Sequence, residues 1–308
     1  MRYITAAAMA LLLAGCAYSP EPEAGTGSVY KVYFLNGQSN MEGFGYSEDL
    51  PDGAAAQAAG VLIFHGRTLQ DGSAGGGEGL WTPMQPGHGF GFETDGKTNS
   101  YSDRFGPELT FAGSMSAARD GERVAIIKFT RGGTALVDGV SGYGSWDPEY
   151  ADATRRNQLD YALSSIESAL AARDIDGDGI EDTLVPSGIV WMQGEADAFD
   201  SEEASSNYAQ NLRRIMRLFR GALGDADLPV VIGRIKDSGD SEDSRVMRFS
   251  PRVQQQQAEF VAQDECAALV DATRHFGFLE DGWHYRSEDY VVLGRAFADA
   301  MTKLETDC

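Results

Sequence analysis

Basic residues are scarce in this chain: 25 Lys and Arg stand against 47 Asp and Glu, a formal net charge of −22 over 308 residues. Nucleic-acid affinity comes mostly from cationic side chains neutralising phosphates, so this balance excludes a nucleic-acid partner and leaves a solvated acidic surface. Long apolar runs are also missing, and the apolar stretch at residues 6–13 is too short to cross a bilayer. Cysteine occurs only three times and histidine four times, which leaves few thiols to pair and few imidazoles to serve as a base. No sustained internal repeat runs along the sequence. What is abundant is core-forming material: 42% apolar and 10% aromatic composition suffices for one large catalytic domain.

Residues 1–16 read as an export signal, with Arg2 supplying positive charge ahead of the apolar core and Leu13-Ala14-Gly15-Cys16 behind it. The segment resembles a bacterial lipoprotein signal, which implies a lipidated Cys16, a location in the cell envelope and membrane contact through that lipid alone. An ordinary signal peptide that discards Cys16 is the alternative. Residues 17–28, rich in Pro, Glu, Gly and Ser, have the composition of a flexible tether leading to a single domain at 29–308. Cys266 and Cys308 then remain as a candidate disulfide, since an exported compartment is oxidising, with two free thiols as the alternative.

Runs of β-type residues at 29–35, 123–129, 187–192, 228–235 and 267–270 alternate with helical patterns at 107–119, 155–173, 202–223, 251–263 and 287–304. That alternation predicts a three-layer α/β/α sandwich around a central five-stranded parallel sheet. Residues 45–105 break the alternation: the segment is rich in Gly and carries Phe64, Trp81, Phe90, Phe92 and Tyr101, aromatics that anchor a long loop to the core or stack on sugar rings.

In open α/β sheets ligands gather beyond the carboxyl ends of the strands. The unusual motifs of this chain fall there. Ser39 follows the first strand in Gly37-Gln38-Ser39-Asn40-Met41, where a helix N-cap would be the common role of a serine. Arg131-Gly132-Gly133-Thr134 follows the second, and a glycine there leaves a backbone N–H free to meet a developing oxyanion. Gln193-Gly194-Glu195 follows the third and offers a neutral amide donor. Near the C-terminus, Asp281 precedes His284 by three residues, whereas His65, His88 and His275 have no such carboxylate. A serine, an imidazole and an orienting acid are the minimum parts of a serine esterase.

Together with Phe105-Gly106-Pro107-Glu108, Trp191-Met192-Gln193-Gly194-Glu195-Ala196-Asp197 and Asp281-Gly282-Trp283-His284, these motifs resemble the sialate O-acetylesterase and acetyl xylan esterase family, a branch of the SGNH-hydrolase-like fold. The resemblance implies a flavodoxin-like sandwich and removal of O-acetyl groups from carbohydrate without a catalytic cofactor. By position it implies Ser39 as nucleophile, His284 as base, Asp281 as its acid with Glu195 as a secondary candidate, and Ser39, Gly133 and Gln193 as the oxyanion hole. A catalytically silent glycan-binding lipoprotein and a thioesterase or lipase on the same scaffold are the competing expectations. Residues 174–182 also resemble EF-hand, dockerin and thrombospondin-type calcium loops, with Asp174, Asp176, Asp178 and Asp182 as candidate ligands for a structural calcium ion. Val185 stands at the twelfth position, where an EF-hand has its bidentate glutamate.

Overall fold

Tyr33 and Phe34 are sequence neighbours on a strand, so their side chains leave opposite faces of the sheet. Tyr33 meets Phe111 edge-on at 5.5 Å, and Phe34 meets Phe219 at 5.1 Å, which places a helix against each face. The computed structural model describes residues 26–119, 121–151, 154–239 and 241–308; the expected leader, Cys16 and most of the tether lie outside the described residues. Seven strands form the main sheet: β1 (Val29–Gly37), β2 (Leu62–His65), β3 (Trp81–Pro83), β4 (Arg123–Thr130), β5 (Thr183–Met192), β6 (Val230–Gly233) and β7 (Ala267–Val270). Their spatial order is β7-β6-β5-β1-β4-β2-β3, parallel throughout except for β3, which runs antiparallel to β2.

The five predicted strands are all present, and the sheet gains β2 and β3 from the glycine-rich segment. Phe64 and Trp81, read as loop anchors, are strand residues in cross-strand register and touch edge-on at 5.7 Å. Pro83 ends the edge strand, the place where a residue without an N–H costs no ladder bond. Near-continuous burial along β1, β4 and β5 reflects cover on both faces.

The helices that matter for the site are α1 (Ser39–Glu42), α2 (Glu108–Ala118), α3 (Gln158–Ala171), α4 (Glu195–Phe199), α5 (Tyr208–Leu223), α6 (Ser250–Ala262) and α7 (Ser287–Asp307). Helix α3 starts later than predicted because Asn157 and Asp160 form a reciprocal capping box there. The predicted helix at 202–223 is divided at Asn207 into Glu202–Ser206, capped by Ser201 Oγ accepting from the Ala204 N–H at 3.1 Å, and α5. Helices α2 and α7 cross closely because Gly294 leaves room: a Cβ there would lie 2.2 Å from the Pro107 carbonyl oxygen.

Ser28, the last residue of the expected tether, donates its N–H to Asp182 Oδ1 at 3.0 Å. One expectation about the chain's ends changes. Cys266 and Cys308 are free thiols and not a disulfide. Burial, reinforced by the hydrogen-bonded neighbour Cys308, pushes the Cys266 thiol up to about 12, so the thiolate needed for exchange is disfavoured.

Candidate active site

Three central strands end in register. Gly37 of β1 pairs with Thr130 of β4 on one side and Met192 of β5 on the other, so the segments carrying Ser39, Arg131 and Gln193 leave the sheet side by side. Strand order reverses here too, with β4 and β5 on opposite flanks of β1, which makes this the crevice where α/β folds bind ligands. Gly37 has φ +148°, and a Cβ on it would lie 2.0 Å from the Met192 carbonyl oxygen, so only glycine fits against β5 before the chain turns into α1. Ser39 is the first residue of α1, a position whose N–H has no intrahelical acceptor.

Ser39, Gly133 and His284 line one cavity of about 610 Å³, together with Glu42, Phe44, Phe90, Arg131, Gly132, Ser141, Tyr143, Phe199 and Trp283 among others. Gly132 packs against the serine: a Cβ on it would be 3.4 Å from Ser39 Cβ and 3.0 Å from Glu42 Oε2. The Gly132 N–H donates to Glu42 Oε2 at 3.1 Å, while no hydrogen bond among the described residues occupies the N–H of Gly133.

His284 is held from two directions. Its Nδ1 lies 2.7 Å from Asp281 Oδ2, and Asp281 Oδ1 accepts the N–H groups of Trp283 and His284 at 2.8 and 3.0 Å. The imidazole also lies flat on Phe44, with centroids 3.5 Å apart and planes within 7°. Nε2 is thereby left for the cavity. Among the described residues no hydrogen bond joins Ser39 Oγ to this ring; such contacts commonly tighten only when substrate is bound. Burial lowers the imidazole pKa from its ordinary value, and the hydrogen bond and charge of Asp281 oppose this. At Asp281 burial works upward, yet hydrogen bonds from His284 and the two backbone N–H groups prevail and hold the carboxyl below the usual range.

Gln193 does not reach the cavity. It is fully buried, and its Nε2 donates to Asp197 Oδ2 at 2.7 Å and to the Thr134 carbonyl at 2.8 Å. Asp197, four residues on and one helical turn away, captures the amide that was expected to meet an oxyanion; the i, i+4 spacing within the motif was the available signal. Gln193 thus fastens the segment bearing Gly133 to the end of β5. Glu195, the secondary candidate acid, does not contact the imidazole either. Its Oε1 accepts from Asn40 Nδ2 at 2.8 Å, and burial raises its pKa against that hydrogen bond. His65 and His88 are buried with their Nδ1 atoms 3.2 Å apart, away from the cavity lining.

Glu42 is a site residue that the sequence reading passed over, although its place three residues after Ser39 puts both on one face of a helical turn. Burial pushes its carboxyl up to about 7, against the opposing charges of Lys128 and Arg131 and the Gly132 N–H.

The acidic loop at 174–182 lies apart from this cavity. Ligand oxygens of Asp174, Asp176 and Asp182 come within 4.8 Å of one another, but Asp178 does not join them and accepts instead from the Ile180 N–H at 2.8 Å. Asp176 already faces Arg123 at 3.1 Å.

Residues 29–303 match the family model described as carbohydrate esterase, sialic acid-specific acetylesterase. Among solved structures, a protein from Arabidopsis thaliana shares 19% identity over 90% of this chain and 99% of its own, with a TM-score of 0.59. A carbohydrate acetylesterase from Xanthomonas citri shares 18% over 90% of this chain and 56% of its own, with a TM-score of 0.57. NanS shares 17% over 91% and 98%, with a TM-score of 0.55. At these identities the likeness is one of fold. No curated protein matches the chain by sequence.

NMR titration of the His284 imidazole should give a midpoint below the ordinary ~6.5, and Asp281→Asn, which removes the group holding the proton on, should lower it further. A midpoint at or above the ordinary value, or one raised by the substitution, would contradict the assignment of causes.

Proposed function

The chain belongs to the carbohydrate esterase, sialic acid-specific acetylesterase family, and from that premise we propose that it removes O-acetyl groups from carbohydrate through a serine acyl-enzyme. One observation carries the mechanism: an imidazole clamped between Asp281 and Phe44 opens onto the same cavity as Ser39. In this reading Ser39 Oγ attacks the acetyl carbonyl while His284 Nε2 takes its proton, and Asp281 keeps the tautomer and steadies the imidazolium. The backbone N–H groups of Ser39 and Gly133 receive the oxyanion; Gln193 has no part in receiving it. Collapse of the tetrahedral intermediate breaks the bond to the sugar oxygen, which leaves as a hydroxyl with the proton from His284. Water, deprotonated by the same imidazole, then attacks the acyl-enzyme and frees acetate.

The cavity wall sets polar and backbone groups, from Glu42, Arg131, Ser141 and two glycines, among Phe44, Phe90, Tyr143, Phe199 and Trp283, a mixture suited to a sugar with its hydroxyl rim and C–H faces. Ser39→Ala should abolish acetate release from an acetylated sugar panel, and Asp281→Asn should reduce turnover by ~10⁴. Wild-type release by Ser39→Ala would sink the mechanism. A protein that binds acetylated glycans but hydrolyses no ester would instead be the silent lectin.

The same proposal includes export and lipid anchoring at Cys16, supported by Arg2, the apolar residues 6–13 and Leu13-Ala14-Gly15-Cys16. Metabolic labelling with a fatty-acid analogue should mark the full-length protein and not Cys16→Ser. We also propose that Asp174, Asp176 and Asp182 hold a structural calcium ion, supported by their convergence. Calcium added to chelated protein should then raise the melting temperature, because a ligand that binds only the folded state stabilises it; an unchanged melting temperature at millimolar calcium would retire the site.

A further inference from the structure

Among the described residues, four large aromatic side chains stand exposed: Phe90 at 50%, Tyr101 at 39%, Tyr143 at 66% and Phe199 at 51%. Three of them, Phe90, Tyr143 and Phe199, line the cavity that holds Ser39 and His284. Aromatic surface left in water at one place on an acidic, soluble domain marks a contact site. Each of the three comes from a different segment, and each rests on a part of the site. Phe90 stacks on Phe44 at 4.5 Å, and Phe44 in turn stacks on His284. Tyr143 lies over the oxyanion segment, so close that a Cβ on Gly133 would come within 2.8 Å of its ring, and Ser141, two residues before it, donates its hydroxyl to the Gly133 carbonyl. Phe199 ends α4 and packs on Trp283, the neighbour of His284, at 5.6 Å.

An acetyl group is small, and a cavity of about 610 Å³ is in the range that takes whole ligands. A sugar ring has a face of polarised C–H groups and a rim of hydroxyls. The C–H face matches the negative face of an aromatic ring, and the hydroxyls match polar groups such as Glu42 and Arg131 in the same wall. Rigid aromatic side chains give such contacts at little cost in rotamer freedom. Half-exposed rings at a mouth, as opposed to buried rings in a floor, suit the units that flank the reacting one.

We propose that Phe90, Tyr143 and Phe199 are stacking platforms for neighbouring units of a glycan chain, so that the substrate class is an acetylated oligo- or polysaccharide in preference to a free acetylated monosaccharide. The inference rests on the esterase reading above. Because the platforms stand on the oxyanion segment, the α4 end and the histidine stack, a chain seated on them is positioned relative to Ser39.

The test is kcat/KM for acetate release across a graded series of O-acetylated oligosaccharides of one sugar, from one unit to six, with 4-nitrophenyl acetate as the short ester. Wild type should rise with length. Tyr143→Ala and Phe199→Ala should each lose ~3–10-fold more on the hexamer than on the monomer, the size of one aromatic contact. Tyr101→Ala, exposed but outside the cavity, serves as the control and should keep the length dependence. A length-independent wild type, or platform variants that lower monomer and hexamer by one factor, would overturn the inference while leaving the esterase reading intact. Failure of the esterase reading looks different: Ser39→Ala as active as wild type, or a wild type inert on every ester. In that event calorimetric titration of wild type with the same series decides the platforms, tighter binding of longer chains supporting them and equal binding overturning them.

Discussion

A side-chain amide has two hydrogens to give and two lone pairs to receive with, and in Asn40 all four are engaged. Nδ2 donates to Glu195 Oε1 and to the Trp283 carbonyl, at 2.8 and 3.2 Å; Oδ1 accepts the Tyr290 hydroxyl and the Tyr285 N–H, at 2.8 and 3.4 Å. One buried residue next to Ser39 therefore joins the α1 turn to the end of β5, to the loop carrying Asp281 and His284, and to helix α7. Loops that arrive from distant parts of a chain have no intrinsic reason to keep a fixed relation. Here the relation is imposed by a group that is costly to leave unpaired once buried, so a misplaced loop breaks several bonds together.

Lys128 does the same on the other flank. Its ammonium is fully buried and donates to the Glu42 carbonyl at 2.9 Å, the His88 carbonyl at 2.8 Å and Glu108 Oε2 at 2.8 Å. Glu108 Oε1 accepts the Gly106 N–H at 3.0 Å. Burying such a pair carries a large desolvation cost, offset only when the remaining donors and acceptors are satisfied, as these are. The pair connects β4 to the α1 turn, to the 88–106 segment and to the start of α2, whose placement a purely apolar contact would leave less specific.

Much of this was legible in the sequence, and what was not has physical causes. Long strands covered on both faces announce themselves as apolar runs, which is why β1 and β4 were placed to within two residues, whereas the first four residues of β5 lie outside its buried run and were left out. The four residues of β2 and three of β3 lack the length for such a signal, and glycines on either side disguise them. Strand ends in the right order brought Ser39, Gly133 and His284 to one cavity. Gln193 was misread because an amide at a strand end has more than one acceptor to choose from, and the choice of Asp197 is decided by the turn of α4. Phe199 and Tyr143 carry no motif at all; only the folded surface shows that they are exposed where they are.

The register of β1 against β4 and β5 has a consequence for how such a site can change. Each residue along a strand advances the chain by ~3.3 Å and reverses the side on which its neighbour's side chain emerges. The spacing between the serine turn, the 131–134 segment and α4 is thus counted in whole residues, with no intermediate values available. Insertions between α1 and β2 leave that count untouched, whereas a single residue gained or lost inside β1 would send the side chains beyond it to the opposite face of the sheet. Diversity in what the cavity accepts is accordingly confined to the connections around it, and the chemistry at its floor is preserved by arithmetic in the sheet.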